Sequence, residues 1–330
     1  MCGSNQRGQL GALLMALALL TATPIQADEG SHSPVKRRQQ GILTGMPFMA
    51  NLSPRTFVDD LGRKVFLARP PVRVVSLAPS ITEMLYAIGV GDQVVGVTVN
   101  CDYPPEARAK PKVGYTQPNL EAILALQPDL VLTPSEYVRA DVLGKLEHLK
   151  VPTFVLAART MEDIPSHLRT LGRMLGRPSP ADQLASELRR RIAEVRSRTE
   201  GRLRPRLLYV LNSEPLITVG PGSYIHQLIE FAGGANVAAG AAAPYPRLSI
   251  ETVLNADPDW ILFPVGSAEG IPEGEQQRWR RWVTVSAVKH ERFQRIPSDL
   301  LNRPGPRIVE GLELLARTLH PEAFASPAPP

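Results

Sequence analysis

Sulfur, aromatic rings and charge imbalance are all scarce in this chain. The two cysteines, Cys2 and Cys101, exclude a disulfide framework and any zinc site built from four thiolates. The six histidines (His32, His148, His167, His226, His290 and His320) are scattered. No two share helix-face metal spacing and none sits beside a cysteine, so no metal site is expected. The 37 basic residues face 32 acidic ones for a net charge of +5. Over a chain this long, that surplus does not mark a nucleic-acid binder. Chemistry-bearing motifs are missing too. The nearest glycine-rich stretch, Val219-Gly220-Pro221-Gly222-Ser223, lacks the lysine of a phosphate loop, and no nucleophile elbow or carboxylate pair stands out. Past residue 27 nothing approaches the roughly 18 consecutive apolar residues of a membrane span. Aromatics amount to only 5%, so the position of each one is informative.

What is present is an ordinary globular composition, 43% apolar and 21% charged over 330 residues. That length suits about two domains. Residues 1–27 carry Arg7, a wholly apolar stretch from Leu10 to Leu20, then small residues and Pro24 before Ala27. This is the layout of a secretory signal, with an uncleaved anchor or a mis-set start codon as the alternatives. No cysteine follows the apolar run, which disfavours a lipid anchor. Cleavage would leave Cys101 as a lone thiol, expected to be a small buried apolar residue. Residues 28–55 show no period and read as a flexible leader with a basic run, Lys36-Arg37-Arg38.

The mature chain opens on a hairpin pattern, TFVDDLGRKVFL. VRVVSL then reads as a buried strand, followed by a helix opened by Ser80 with Glu83 as its capping-box partner and Gly89 as its stop. Val94–Val97 is a second strand, so strand–helix–strand order argues for a parallel α/β lobe. The chain also repeats itself. NLEAILALQPDLVL (119–132) and SIETVLNADPDWIL (249–262) align without a gap. Each has an N-cap residue (Asn119, Ser249), a glutamate in the first turn (Glu121, Glu251), a short helix, Pro-Asp and an apolar strand. A weaker match joins the region near 74–89 to that near 207–234, where Ser223 takes the place of Ser80. We therefore expect two similar α/β lobes, 56–158 and 204–322, with a short tail at 323–330. The bland alternative is that helix-Pro-Asp-strand is common punctuation. Between the lobes, 159–203 shows apolar residues at helical spacing (Ile164, Leu168, Leu171, Leu175, then Leu184, Leu188, Ile192, Val195), interrupted by Gly176 and Pro178-Ser179-Pro180. This predicts a helical linker with a basic, solvated face.

Ligands of open α/β sheets bind outside the carboxyl ends of the strands. The loops expected there carry Pro79, Ser80, Tyr103, Tyr115 and Tyr137 in the first lobe. In the second they carry Gly222, Ser223, Tyr224, Tyr245, Arg247 and Asp299. A tyrosine offers a flat apolar face with one polar tip, suited to a broad planar ligand. The GPGS turn is either an anion-holding nest or a plain turn. No residue is assigned a catalytic role.

VDDLGRKV, RVVSLAPSITEMLYAIG and NLEAILALQPDLVL together resemble the periplasmic iron-siderophore and cobalamin binding proteins of ABC importers, over nearly all of 56–320. CDYPPEA, APYPRLSIETVL and PSDLLNRPGPRIVEGLELLA look most similar to the cobalamin-binding branch. The resemblance implies a monomeric periplasmic protein with two α/β lobes, one long linker helix and a ligand, cobalamin, held between the lobes. It implies no cofactor beyond that ligand, no enzyme activity, and an inner-membrane permease as partner. Glu121 and Glu251, by motif position, would dock onto that permease. In that branch several cleft positions are aromatic, tryptophans among them; here the matching loops carry Tyr115, Tyr137 and Tyr245 instead, and Leu300 follows Asp299 where an aromatic is expected. A different corrinoid, haem or a ferric siderophore thus stays open. Arg247, Arg303 and Arg307 are either a siderophore-type arginine cluster or surface residues. A secreted α/β enzyme is the rival from another class.

Overall fold

The computed structural model describes residues 54–114, 117–135, 140–266 and 270–325, all within one compact unit, Met49–Pro330. The proposed signal segment, the leader up to residue 53, Tyr115 and Tyr137 lie outside the described residues. The hairpin forms as β1 (Arg55–Val58) and β2 (Lys64–Leu67), antiparallel, with Val58 opposite Lys64. Asp59 closes its turn by accepting from the Leu61 and Arg63 amides.

The first lobe alternates β3 (Val74–Ser76), α1 (Pro79–Ala87), β4 (Val94–Val97), α2 (Leu120–Ala125), β5 (Leu130–Pro134), α3 (Ala140–His148) and β6 (Thr153–Leu156). Two helices follow, α4 (Asp163–Met174) and α5 (Pro178–Thr199). The second lobe runs β7 (Arg206–Tyr209), a small β8–β9 hairpin (Asn212–Ser213, Leu216–Ile217), α6 (Tyr224–Phe231), β10 (Ala235–Asn236), α7 (Ile250–Ala256) and β11 (Trp260–Val265). It ends with the short helices α8 (Gln276–Trp279) and α9 (Ser286–Lys289), then β12 (Phe293–Pro297) and α10 (Ile308–Leu319).

Both sheets are parallel and four-stranded, in the orders β4-β3-β5-β6 and β10-β7-β11-β12. Taken by position within each lobe, these are the same order, second-first-third-fourth. The internal repeat is therefore a structural one, and the expected pair of α/β lobes is present. Alternation along the strands divides the interior. Val74, Leu130, Leu132, Leu207, Tyr209 and Leu262 face one shared core, whereas their neighbours Val75, Val131, Leu208 and Ile261 face a separate core on the far side of each sheet.

The shared core runs through α5. Ala181, Ala185, Leu188, Ile192 and Val195 recur at steps of three and four and are all buried in it. A 22-residue helix is about 33 Å long, enough to pass behind both sheets. Its basic face is largely exposed, as expected, and most of its arginines are also paired, with Arg196 lying over the Phe231 ring instead. Arg190 and Arg198 bond glutamates on α5 itself, Arg189 bonds Glu162, and Arg191 grips Glu313 of α10 at 2.8 Å.

Candidate functional site

Because α1, α2, α6, α7 and α10 each follow a parallel strand and return antiparallel to it, their N-termini lie at the carboxyl edges of the sheets. Local sequence sets those ends. Asn119, Ser223 and Ser249 cap α2, α6 and α7 by accepting from the amides of Ala122, His226 and Thr252. Glu121 and Glu251 occupy the first turns of α2 and α7, and both are exposed. The Glu251 carboxyl is held below its ordinary value by hydrogen bonding to Ser249.

α1 differs from expectation. Its N-cap is Ala78 with no side-chain cap, and Pro79 rather than Ser80 is the first helical residue. Glu83 therefore caps nothing. It is buried, 2% exposed at the side chain, and reaches the other lobe. Arg307 forks onto it, Nε to Oε2 at 2.9 Å and Nη2 to Oε1 at 2.6 Å. Arg303 Nη1 donates to the same Oε1 at 3.3 Å. Each arginine then reaches a second carboxylate: Arg303 Nη1 to Asp102 Oδ1 at 2.7 Å, and Arg307 Nη1 to Asp299 Oδ2 at 2.9 Å. Arg303 also donates to the Asn100 carbonyl. The Arg307 guanidinium lies over the Tyr103 ring, 4.0 Å from its centroid, a favourable cation–π placement.

Three carboxylates thus surround two guanidiniums where the lobes meet. Burial pushes the Glu83 carboxyl up against the opposing pull of both arginines. Burial works in the same sense on Asp102, but the hydrogen bond and charge of Arg303 prevail there and hold its carboxyl below the ordinary value. The exposure gradient is informative. Glu83 and Arg303 are sealed, whereas Asp102 and Asp299 remain 48% and 28% exposed at the side chain. The outer carboxylates can meet a ligand, whereas Glu83 and Arg303 are out of its reach. Arg303 and Arg307 are not free surface residues, because both are tied to acids across the lobe junction.

The remaining residues singled out in the sequence fall into two groups. Tyr103, Tyr245 and Arg247 are exposed, Tyr103 and Tyr245 at 44% and 40%. Tyr209 is buried, and its hydroxyl donates to Asn302 at 2.5 Å. Burial first, and Tyr245 second, push the Tyr209 phenol well up. Pro79, Ser80, Ser223 and Tyr224 are buried. A Cβ on Gly305 would sit 3.4 Å from the Ser80 carbonyl, so the loop before α10 lies directly on the start of α1. The Ser223 hydroxyl is occupied in donating to the Gly220 carbonyl and accepting from His226, and Tyr224 packs in the shared core. The GPGS segment is thus a helix-capping turn, with Gly222 at φ +90°. Leu300 packs partly buried against the same core. Cys101 is buried, its thiol pushed up by burial and held between Thr82 and Thr98.

The interlobe role of Glu83 escaped the sequence reading, although a signal was there. Glu83 is the only charged residue between Val74 and Gly91, and a lone carboxylate in such a stretch calls for a buried cationic partner.

Residues 74–300 match the family described as "Periplasmic binding protein". Over 249 residues the chain is 34% identical to a vitamin B12-binding protein of Vibrio parahaemolyticus serotype O3:K6 (strain RIMD 2210633), covering 74% of this chain and 89% of that one. Among solved structures it is similar to the periplasmic vitamin B12 binding protein BtuF of Vibrio cholerae, with a TM-score of 0.68 and 30% identity over 78% of this chain and 99% of that one. It is also similar to the apo form of the periplasmic heme-binding protein RhuT from Roseiflexus sp. RS-1, with a TM-score of 0.68 and 27% identity over 76% and 98%. Parallel duplicated sheets, a helix joining them and a family match over most of the chain lead to one assignment: the chain belongs to the periplasmic binding protein family.

Proposed function

We propose that this chain is the periplasmic substrate-binding protein of an ABC importer, and that it captures a corrinoid of the cobalamin class between its lobes. The charge arrangement at the lobe junction carries this reading. Both arginines there are tied to acids. What faces outward is carboxylate (Asp102, Asp299) beside tyrosine (Tyr103). Such a surface suits a flat body fringed with amide donors and repels a polyanionic ferric catecholate. The similarity to vitamin B12-binding relatives supports the same choice. Covering about 300 Å² of apolar ligand surface is worth about 7 kcal/mol before the entropic costs of binding. Stacking therefore supplies most of the affinity, and the carboxylates set orientation. Asp102, Asp299, Tyr103 and Tyr245 are the ligand contacts of this reading among the described residues.

Glu121 and Glu251 serve as permease-docking groups. Their support is equivalent placement on the two lobes, exposure, and a first-turn position where a carboxylate is stable. Exposed ion pairs of this kind contribute about 0–1 kcal/mol each, so they set registry and association rate rather than tightness. The protein acts as a non-catalytic monomer. Among the described residues no helix is long and apolar enough to cross a membrane.

Haem is the second reading, favoured by the similarity to a heme-binding structure. One calorimetric series decides between them. Cyanocobalamin, cobinamide, haemin and a ferric siderophore are titrated in turn into the purified protein. Tight binding of the corrinoids alone is the expected result. Binding of haemin with a tyrosine-ligated absorption spectrum, or of the siderophore alone, overturns the corrinoid reading.

A further inference from the structure

We propose that Glu83 and Arg307 are positioning residues of the cleft: anchored on the opposite lobe's carboxylate, the Arg307 guanidinium holds Asp299 of one lobe and the Tyr103 ring of the other in fixed register. The ligand-binding part of this inference rests on the function proposed above. Its structural part does not.

The Arg307 guanidinium is engaged on three sides. One edge forks onto Glu83, Nε and Nη2 together. The remaining nitrogen holds Asp299. The flat face covers Tyr103. A planar fork with five donors can meet three partners at once in fixed directions, whereas an ammonium is a point charge on a flexible stem. Glu83 supplies the fixed reference, because it is sealed in the rigid start of α1 and its other contact, Arg303, pins the Asn100–Asp102 segment from the same side. Asp299 and Tyr103, two of the groups placed against the ligand, thus hang on one buried anchor, Glu83. Losing the anchor frees Arg307 to follow Asp299 outward. That weakens the outward carboxylate and offers a cation in its place.

The test uses the full chain, with Glu83→Gln, Arg307→Lys and the double variant, folding being verified by circular dichroism. In calorimetry with cyanocobalamin we expect each single variant to lose about tenfold in affinity, the scale on which supporting groups act. The double variant should be no worse than the weaker single, since both break one unit. Singles within twofold of the parent, or losses that simply add in the double variant, overturn the inference. If the parent does not bind cyanocobalamin, the corrinoid reading fails but the positioning claim is still decided. Fluorine NMR of the ligand-free, fluorotyrosine-labelled chain, with the Tyr103 signal assigned through Tyr103→Phe, should show that signal displaced and broadened in Glu83→Gln. An unmoved signal overturns the inference. Should Glu83→Gln fail to fold, Arg307→Lys, which keeps the charge, decides both measurements.

Discussion

One substitution, Gly→Ala, should act with opposite sign at two helical positions. In α10, a Cβ on Gly311 would lie 2.2 Å from the Leu300 carbonyl oxygen and 3.0 Å from its carbon. Ordinary contact of a Cβ begins at 3.4 Å, so α10 must retreat by about 1 Å. The obstacle is backbone and cannot rotate away. Ile308, Val309, Leu312 and Leu315 of the same helix are fully packed in the shared core. Overpacking of this kind costs about 1–3 kcal/mol, and the upper end applies here. At ~2–4 °C per kcal/mol for a chain of this size, the melting temperature should fall by roughly 6–12 °C. In α3, by contrast, a Cβ on Gly144 meets nothing within 4 Å. Alanine there should add about 0.5–1 kcal/mol from helix propensity alone. Differential scanning calorimetry of the two variants against the parent checks the pair. The reasoning is refuted if Gly311→Ala melts within 2 °C of the parent, taken as roughly the resolution of a 1 kcal/mol change, or if Gly144→Ala is the more damaging of the two. Because Arg307 immediately precedes α10, Gly311→Ala should also weaken ligand binding, and Gly144→Ala should not.

Three further outcomes follow from the same geometry. Glu83→Ala strands two guanidiniums at the lobe junction, and breaking such a pair from one side costs about 3–5 kcal/mol. Arg303 and Arg307 keep Asp102 and Asp299, so we expect about 2–3 kcal/mol in urea unfolding, and a loss under 1 kcal/mol would contradict a buried charge cluster. Reversing both docking glutamates, Glu121→Arg with Glu251→Arg, should abolish transport in a reconstituted importer and leave calorimetric ligand affinity unchanged, whereas equal loss of both refutes the division of labour. Asp60 accepts from His167 Nε2 at 2.7 Å. Burial opposes its charge, but that bond and the Ala157 amide hold its carboxyl below the ordinary 3.8. A depressed carboxylate stabilises the fold above its unfolded value and loses that contribution as pH falls through the folded one. Asp60→Asn should therefore flatten the acid limb of stability below about pH 4, and an unchanged limb in acid titration of the melting temperature would remove Asp60 from the account.

Much of the architecture is written locally, and local features are legible in sequence. The caps Asn119, Ser223 and Ser249 act within three residues of themselves. The alternation of Val74 and Val75, or Leu207 and Leu208, between two cores follows from the pleat of a single strand. The ungapped repeat reports one topology used twice, and the sheet orders agree with it. Local reading misplaced Glu83, because three residues after Ser80 it satisfied a capping pattern that α1, starting at Pro79, does not use. Tertiary structure alone decided its partners. Glu83 and Arg303 are separated by 220 positions, and no periodicity or turn chemistry connects residues that far apart. Which arginine is buried, which carboxylate stays exposed, and which tyrosine lies under a cation were settled only when the two lobes came to rest against each other. Burial and pairing are properties of what the opposite surface brings, not of the segment that carries the charge.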